Sequence, residues 1–381
     1  MADMRWVGTW ATSPVFVEGR SFANESLRLI VRASLGGSRV RVRLSNAYGQ
    51  KPLAIGAARV ALRESGARVA AGSDRQLTFG GRAGVTIAAG ALALSDPVEL
   101  SFPALADFAV SLYLPGEVPE SFQITGHGNA RQTNYVSPPG DHTAAPDMPV
   151  ATPTQDWYFL TGIDVLAPAQ VGGIIALGDS LTDGNLSSVD GNSRWPDQLA
   201  RRIAARRGGR PLAVMNHGIG GNRILHDTRG DSGLRRLDRD ALAQPGATHV
   251  ILFLGTNDLR NRWKKPEEEV TAESMIAGLQ QIAARTQAAG LKIYGCTLLP
   301  FENETFLPGA WTPAREKHRL AVNDWIREGR AFDTVIDFEK TLRDPAHPSS
   351  MKTEYDCGDH LHPGDLGYKT LGDSIDLSLF E

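Results

Sequence analysis

The sequence has few cysteines, and their scarcity excludes two common kinds of small protein. Among 381 residues only Cys296 and Cys357 occur. Two cysteines are too few for a disulfide-rich secreted scaffold, and their spacing does not fit a zinc site. We expect two unpaired thiols. A single bridge between the loops that carry them is the alternative, because the sequence does not give the distance between their Cα atoms.

An excess of charge of one sign and long apolar runs are also lacking. The 40 Lys and Arg residues nearly balance the 43 Asp and Glu residues, which leaves a formal charge of −3. Nucleic-acid binding therefore gets no electrostatic support. The first six residues lack the apolar run of a signal peptide, and no later segment is long and apolar enough to span a bilayer. We expect no nucleic-acid partner, no membrane span and a cytoplasmic chain as written, or a secreted one if a leader was removed.

What the sequence does have is the length and composition of a globular protein with more than one domain. Hydrophobic residues make up 41% and charged residues 22% of the chain, which is ordinary usage for a folded protein. A chain of 381 residues exceeds what one hydrophobic core usually organises. The residue pattern changes just after Pro168. We predict two domains, residues 1–168 and 169–381, while the sequence predicts no oligomeric state.

The first half is typical of an all-β domain. After an unpatterned start, short runs of alternating apolar and polar residues are separated by Gly, Pro, Asp and Ser. In residues 39–44 the apolar side chains are expected to face a core, while Arg39, Arg41 and Arg43 face water. The predicted strands cover residues 27–34, 39–44, 57–63, 98–102, 108–114 and 157–166. Residues 137–153 contain five prolines and are predicted to be a loop. The pattern predicts a jelly-roll-like β-sandwich.

The second half alternates continuous apolar runs with helical patterns, which is typical of strands in a buried parallel sheet. The predicted strands are residues 173–177, 212–215, 249–254, 292–297 and 334–338. The predicted helices are residues 195–207, 233–243, 270–289, 313–328 and 364–377. We predict a three-layer α/β/α sandwich around a five-stranded parallel sheet.

Polar, Gly-rich segments follow these apolar runs, where ligands bind in an open parallel sheet. Gly178-Asp179-Ser180-Leu181 follows the first run, Asn216-His-Gly-Ile-Gly-Gly221 the second and Gly255-Thr-Asn257-Asp258 the third. Asp359-His-Leu-His362 comes later in the chain. We expect all four segments to converge on one crevice.

These segments contain the groups that an activated serine needs. A serine hydroxyl is a weak nucleophile that requires a base, a carboxylate to orient the base and donors for the developing oxyanion. We predict Ser180 as the nucleophile, His362 as the general base and Asp359 as its orienting group. A serine after a strand is more often a helix cap or turn residue. The partners at other strand ends favour the nucleophile here.

These four segments resemble the SGNH, or GDSL, hydrolase family of lipases and esterases over about residues 172–380. Gly178-Asp179-Ser180-Leu181 resembles the first block of the family, and Asp359-His-Leu-His362 resembles the last. The oxyanion-hole glycine of the family falls on Gly221 in the second block, with Gly220 as the alternative register. The oxyanion-hole asparagine falls on Asn257. The Gly-x-Ser-x-Gly elbow of the α/β-hydrolases is absent, because Thr182 takes the place of its second glycine.

This resemblance implies a flavodoxin-like sheet and hydrolysis of carboxylic esters through an acyl-enzyme, without a metal or organic cofactor. The oxyanion hole would consist of the backbone amides of Ser180 and Gly221 and the side chain of Asn257. The catalytic triad would be Ser180, Asp359 and His362.

Three hypotheses for the function follow. The first is an esterase that acts on short-chain or acetyl esters. The second is a carbohydrate acetylesterase whose β-sandwich positions a glycan ester, which is an analogy at the level of the fold. The third is a binding protein that keeps the fold without the chemistry. Phe301, Phe306 and Trp311, in a long loop after the fourth strand, are predicted to line the substrate site.

Overall fold

A computed structural model describes residues 3–261 and 265–381. The first two residues of the predicted domain 1–168 and residues 262–264 of the predicted domain 169–381 lie outside the described residues. The chain divides into two compact units. The first extends to Val171 and includes Val189–Asn192, and the second comprises Gly172–Ser188 and Ser193–Glu381. The domain boundary at 168/169 stays a prediction, and each unit is described by itself.

The first unit is built from β-strands. They are β1 (Met4–Ala11), β2 (Val15–Val17), β3 (Phe22–Arg32), β4 (Gly37–Ser45), β5 (Leu53–Ile55), β6 (Ala57–Ser65), β7 (Arg68–Val69), β8 (Arg75–Gln76), β9 (Val85–Ile87), β10 (Leu92–Leu94), β11 (Val98–Phe102), β12 (Asp107–Val118), β13 (Ile124–His127), β14 (Asn134–Pro139), β15 (Thr152–Thr154), β16 (Trp157–Tyr158) and β17 (Leu160–Pro168). A 3₁₀ turn, Glu120–Phe122, precedes β13.

Two antiparallel sheets enclose the core of this unit. One has the order β1-β17-β4-β10, with β11 also paired to β4, and the other has the order β15-β14-β3-β12-β6-β7, with β8 paired to β6. Alternate residues of β4, such as Val40 and Val42, share one core with Leu29 of β3 and Val110 of β12. This is the packing of a β-sandwich. The predicted all-β fold is confirmed.

Two details of the first unit differ from the sequence prediction. Arg43 is buried rather than solvated, because Arg41 and Arg43 both pair with the fully buried Asp164 on the neighbouring strand β17, at 3.0 and 3.1 Å. The proline-rich residues 137–153 are not entirely a loop. Their ends belong to β14 and β15, which pair with each other. Strand β15, which contains Pro153, lies at the edge of the sheet, where a proline is tolerated.

The second unit alternates strands and helices. The strands are β18 (Gly172–Gly178), β19 (Leu212–Gly218), β20 (Ala247–Phe253), β21 (Lys292–Cys296) and β22 (Thr334–Ile336). The helices are α1 (Ser180–Asp183), α2 (Trp195–Ala205), α3 (Gly233–Leu237), α4 (Thr256–Arg260), α5 (Ala272–Ala288), α6 (Pro313–Glu328), α7 (Phe338–Leu342) and α8 (Asp365–Ser374). A π-helical turn, Asp238–Leu242, extends α3, and 3₁₀ turns cover Pro266–Glu268 and Leu377–Phe380.

The strands of the second unit form one parallel sheet in the order β19-β18-β20-β21-β22. The first strand therefore lies between the second and third, which is the flavodoxin-like order. All seven residues of β18 are buried, as expected for a parallel strand that helices cover on both faces. Helix α2 packs on α8, while α5 packs on α3 and α6. The predicted flavodoxin-like α/β/α fold is confirmed.

Two further expectations concern the cysteines and membrane-spanning helices. Cys296 is buried, Cys357 is exposed, and both are free thiols, so the alternative of a bridge is wrong. No helix among residues 3–261 and 265–381 has the length and apolar character to cross a bilayer.

Candidate active site

Ser180 lies at the start of a one-turn helix directly after the central strand β18. The turn is held by Asp179, whose carboxylate accepts a hydrogen bond from the Leu181 N–H at 3.0 Å. Gly184, at φ 86°, ends the turn in the left-handed region that favours glycine. The helix-cap function that the sequence allowed for the serine is thus performed by Asp179. The Ser180 hydroxyl remains available at the carboxyl end of the sheet.

His362 and Asp359 lie in the loop before α8 and reach Ser180. The Oγ of Ser180 is 2.9 Å from Nε2 of His362, and Nδ1 of His362 is 2.6 Å from Oδ2 of Asp359. An ionised carboxylate only accepts hydrogen bonds, so Nδ1 carries the proton and Nε2 accepts from the serine. The other Asp359 oxygen accepts from the N–H groups of Leu361 and His362, at 2.9 and 2.7 Å. The three predicted residues form one continuous hydrogen-bonded series.

The second sequence block includes the end of β19 and the third follows β20, the strands on either side of β18. Gly221 adopts a φ of 79°, and none of the described residues accepts a hydrogen bond from its N–H. The N–H of the preceding Gly220, in contrast, donates to Oδ2 of Asp183 at 3.2 Å. Asn257 lies in α4, and its Nδ2 donates to the Asn222 carbonyl at 3.1 Å. That bond uses one of the two protons on Nδ2, which leaves the second for another acceptor.

The pKa values of the carboxyl groups around Ser180 are shifted in different directions. Burial alone would raise the pKa of Asp359, but the hydrogen bonds and electrostatic attraction from His362 outweigh it and lower this pKa to about 2. Burial raises the pKa of Asp179 to about 7 and that of Asp258 to about 6. Asp359 therefore stays ionised beside His362, while the two carboxyl groups that brace the neighbouring turns carry less negative charge near neutral pH.

Structural braces hold the second and third blocks together. The carboxylate of Asp258 accepts from the N–H groups of Ile224 and Leu225 at 2.7 and 3.1 Å. The guanidinium of Arg236 is fully buried and donates to Asn222 Oδ1 and to the carbonyl oxygens of His217 and Gly178. These bonds tie the end of β18 to the loop after β19. Sequence reasoning missed Arg236, because nothing in its neighbourhood marks it as buried.

Asn185 is a second residue that the sequence analysis missed. Its Nδ2 lies 3.4 Å from Nε2 of His362, and its backbone carbonyl accepts from the Tyr368 hydroxyl at 2.8 Å. The amide therefore lies at the same imidazole nitrogen that faces the Ser180 hydroxyl.

Three consecutive residues after β21, Glu304 to Phe306, contact three parts of the site. Glu304 pairs with Arg260 of α4 at 2.9 Å. The Thr305 N–H donates to the backbone carbonyl of Asp359 at 3.0 Å. The ring of Phe306 stands edge-on to the ring of His362, with 5.5 Å between centroids, and is 52% exposed. We refer to these residues as the 304–306 segment.

The long loop that contains this segment differs from the prediction in one respect. Phe301 is only 1% exposed and is part of the packed interior rather than a wall of the site. Trp311 is partly buried. Phe306 is the predicted aromatic residue that the structure places beside His362.

One group of possible metal ligands occurs among the described residues. Ligand atoms of Asp356, Cys357 and Asp359 lie within 4.8 Å of one another. However, both Asp359 oxygens already accept hydrogen bonds. Partial desolvation and the neighbouring carboxylates of Asp359 and Asp356 raise the pKa of the Cys357 thiol to about 12. A cation here would have to displace the proton of that thiol and compete with His362.

Several solved structures are similar to about half of this chain. A GDSL-like lipase from Bacteroides thetaiotaomicron is 16% identical, with a TM-score of 0.42, over 54% of this chain and 87% of its own. A carbohydrate acetylesterase from Sinorhizobium meliloti is 17% identical, with a TM-score of 0.41, over 54% and 96%. The aryl esterase of M. smegmatis is 18% identical, with a TM-score of 0.41, over 53% and 95%. A search of curated proteins gives no match.

The sequence model of the GDSL-like lipase/acylhydrolase family matches residues 176–370. This range covers more than half of the chain and includes all four blocks described above. The protein therefore belongs to the GDSL-like lipase/acylhydrolase family. It is an enzyme of the esterase class, as the sequence predicts.

Proposed function

We propose that this protein is a serine carboxylic-ester hydrolase in which Ser180 is the nucleophile, His362 the general base and Asp359 the group that orients the base. The observation that carries the proposal is the continuous series of hydrogen bonds from Ser180 Oγ through the imidazole to Asp359, with distances of 2.9 and 2.6 Å. Both distances lie within direct proton-transfer and orienting range.

We propose that the oxyanion hole consists of the backbone N–H groups of Ser180 and Gly221 and of Nδ2 of Asn257. Neither backbone N–H has an acceptor among the residues that the structure describes. Gly220 is the less suitable register, because its N–H already donates to Asp183. Donors that stay unpaired until the reaction occurs stabilise the oxyanion without first breaking another bond.

The reaction would proceed in two half-reactions. Ser180 Oγ forms a bond to the ester carbonyl carbon while its proton moves to Nε2 of His362. As the tetrahedral intermediate collapses, the bond to the alcohol oxygen breaks and that oxygen takes the proton from Nε2. Water then attacks the acyl-enzyme with the same base, which regenerates the Ser180 hydroxyl and releases the carboxylic acid.

The proposed substrate is an ester of a short acyl group, acetyl included. Ser180 is only 7% exposed and His362 only 3%, and such restricted access favours a small acyl group at the nucleophile. The exposed ring of Phe306 beside His362 offers an apolar surface to the rest of the substrate. The alternative is a carbohydrate acetylesterase, and the hydrolysis screen described below distinguishes the two.

We also retain residues 1–168 and 169–381 as two proposed domains. The division of the chain into compact units near Val171 supports this organisation. The separate cores of an antiparallel sandwich and a parallel α/β sheet support it as well.

The experiment is a hydrolysis screen with aryl esters of increasing acyl length and with acetylated sugars and xylan. The wild type should be fastest on acetyl or other short esters, and Ser180→Ala should lose at least a thousandfold, about the size of effect for loss of a serine nucleophile. Preference for acetylated sugars over aryl acetates would select the carbohydrate acetylesterase. Wild-type turnover by Ser180→Ala would refute the assignment of the nucleophile.

A further inference from the structure

Arg260 is a buried cation directly behind the proposed oxyanion-hole asparagine. It ends helix α4, three residues after Asn257, and is only 4% exposed. Its Nη1 donates to Oδ1 of Asn257 at 2.9 Å. On the other side of the same amide, Nδ2 of Asn257 donates to the Asn222 carbonyl at 3.1 Å. The asparagine is therefore held from both ends.

These two bonds define the orientation of the Asn257 amide by chemistry alone. A guanidinium group has only donors, and a backbone carbonyl has only acceptors. If the amide were turned by 180°, its NH₂ would face the guanidinium of Arg260 and its oxygen would face the Asn222 carbonyl. Both contacts would then be repulsive, so the NH₂ group must point away from Arg260 and toward the Asn222 carbonyl.

Arg260 is itself fixed by the 304–306 segment. Its Nε and Nη2 both donate to Oε1 of Glu304, at 3.1 and 2.9 Å. The second carboxylate oxygen of Glu304 accepts from the Leu307 N–H at 3.2 Å, and Glu304 is also buried. A buried ion pair of this kind is costly to desolvate and is weak evidence for a stabilising role. Its connection to Asn257 suggests a role in the reaction instead.

We propose that Arg260 is a positioning residue for catalysis, held by Glu304, that orients the Asn257 amide and polarises it toward the oxyanion. The inference rests on the proposed function, because it assigns Arg260 an effect through the oxyanion hole. A cationic donor on the amide oxygen draws electron density from the nitrogen, which makes Nδ2–H a stronger donor. The benefit appears where the oxyanion develops, so it belongs to kcat rather than to KM.

The first test removes the cation together with its counter-charge. Arg260→Met with Glu304→Gln leaves neither charge buried alone and keeps an acceptor for the Leu307 N–H. We expect kcat to fall about tenfold to a hundredfold, somewhat less than for loss of an entire oxyanion donor, with KM changed by less than about twofold. Affinity for an alkyl boronic acid, which forms a tetrahedral adduct with a serine nucleophile, should fall by a similar factor.

A double-mutant cycle separates positioning from a general structural effect. If Arg260 acts through Asn257, its replacement should cost almost nothing once Asn257→Ala has removed the amide. The triple variant Asn257→Ala, Arg260→Met, Glu304→Gln should therefore match Asn257→Ala alone. Losses that multiply, or wild-type kcat in the folded Arg260→Met/Glu304→Gln protein, would overturn the proposal.

Two further variants keep the test decisive if that protein fails to fold. Glu304→Gln alone keeps the Arg260 donor and should retain most of kcat, while Arg260→Lys should lie between the wild type and the charge-free variant. Equal kcat for Arg260→Lys and the wild type would overturn the proposal. Arg285→Met, which removes a surface pair with Asp238, is the control and should leave kcat unchanged.

The results that would refute the proposed function differ from those that would refute the role of Arg260. Wild-type turnover by Ser180→Ala would refute the assignment of the nucleophile. Full activity of Asn257→Ala would refute the assignment of the oxyanion hole. With both of those variants impaired as expected, an unchanged Arg260→Met/Glu304→Gln protein would count against Arg260 alone.

Discussion

The adjacent glycines 220 and 221 offer a matched pair of substitutions, because an added methyl group meets different backbone conformations at the two positions. At Gly221 the φ is 79°, where an L-residue costs about 1–2 kcal/mol relative to glycine. The new Cβ would also lie 3.3 Å from Cγ of Arg229, a flexible side chain that can yield. Backbone strain is therefore the main effect of Gly221→Ala.

That strain bears on the reaction because its release moves the proposed donor. The neighbours on both sides are anchored, Gly220 by Asp183 and Asn222 by the carbonyl groups of Arg229 and Asp231. Rotation at residue 221 is the remaining way to relieve the strain, and it turns the N–H out of the hole. Complete loss of one donor costs about a hundredfold to a thousandfold in kcat. We expect at least about a tenfold loss for partial displacement, with little change in KM.

Gly220→Ala is the control in the same loop. Gly220 does not have a positive φ, and its nearest neighbour would be Asp183 Oδ2 at an ordinary 3.8 Å. We expect kcat within about twofold of the wild type, since neither strain nor a clash arises.

Steady-state hydrolysis of p-nitrophenyl acetate gives kcat and KM for both variants, and thermal unfolding reports the strain. Gly221→Ala should lower the melting temperature by about 2–8 °C, from about 1–2 kcal/mol in a unit of this size. A wild-type kcat for Gly221→Ala would refute the reasoning. An equal loss in Gly220→Ala would mean that the loop as a whole, rather than one amide, is the sensitive feature.

Three more outcomes are expected. Phe306→Ala should raise KM for aryl esters several-fold and leave the melting temperature unchanged, whereas Phe301→Ala should destabilise the protein by about 3–5 kcal/mol; equal effects on melting would contradict the difference in their burial. Asp359→Asn should lower kcat by about ten thousandfold by favouring the wrong tautomer of His362. A loss of kcat below tenfold for p-nitrophenyl acetate at about pH 7 would refute the orienting role of Asp359. Because burial raises the pKa of Asp258 to about 6 from an unfolded value near 3.9, the folded state binds the extra proton between these values. The free energy of unfolding should then fall as pH rises from about 4 to 6, by up to about 1.4 kcal/mol per pH unit. Urea titrations should show that this free energy depends less on pH in Asp258→Asn. An unchanged slope would show that Asp258 is not the titrating group.

The predictable parts of the fold are those in which local pattern and burial agree. Helix α6 has the predicted bounds, with Pro313 at its first position and Thr312 as its cap. The all-apolar character of β18 identified it as a buried strand. In each case the chain neighbours alone determine the element, so the sequence is sufficient.

Prediction failed where tertiary partners decide the structure. Strand β1 buries Thr9, whose hydroxyl donates to the Leu35 carbonyl at 2.7 Å, so the expected alternation is hidden. Residues 157–166 were predicted as one strand, but Phe159 has a φ of 61° and the chain passes from one sheet to another there. A non-glycine residue in this conformation gives no sign in the sequence.

The same contrast applies to the site. The sequence identified Ser180, Asn257 and the Asp359/His362 pair as candidates, because they lie after predicted strands or within family motifs. Arg260 stands three residues after Asn257, a helical spacing that places both on one face, so a signal existed but was ambiguous. Glu304 is 44 residues further along, and only the folded chain shows that it reaches Arg260.

The 304–306 segment has a consequence for how this enzyme can diversify. Its three consecutive residues contact Arg260, the backbone of Asp359 and the ring of His362. An insertion or deletion there would therefore shift all three contacts by one residue. Grafting this loop from a relative would therefore change the contacts with Arg260, Asp359 and His362 along with the exposed ring of Phe306. New specificity is more accessible through single replacements of Phe306, whose exposed ring can change while the two residues before it keep their partners.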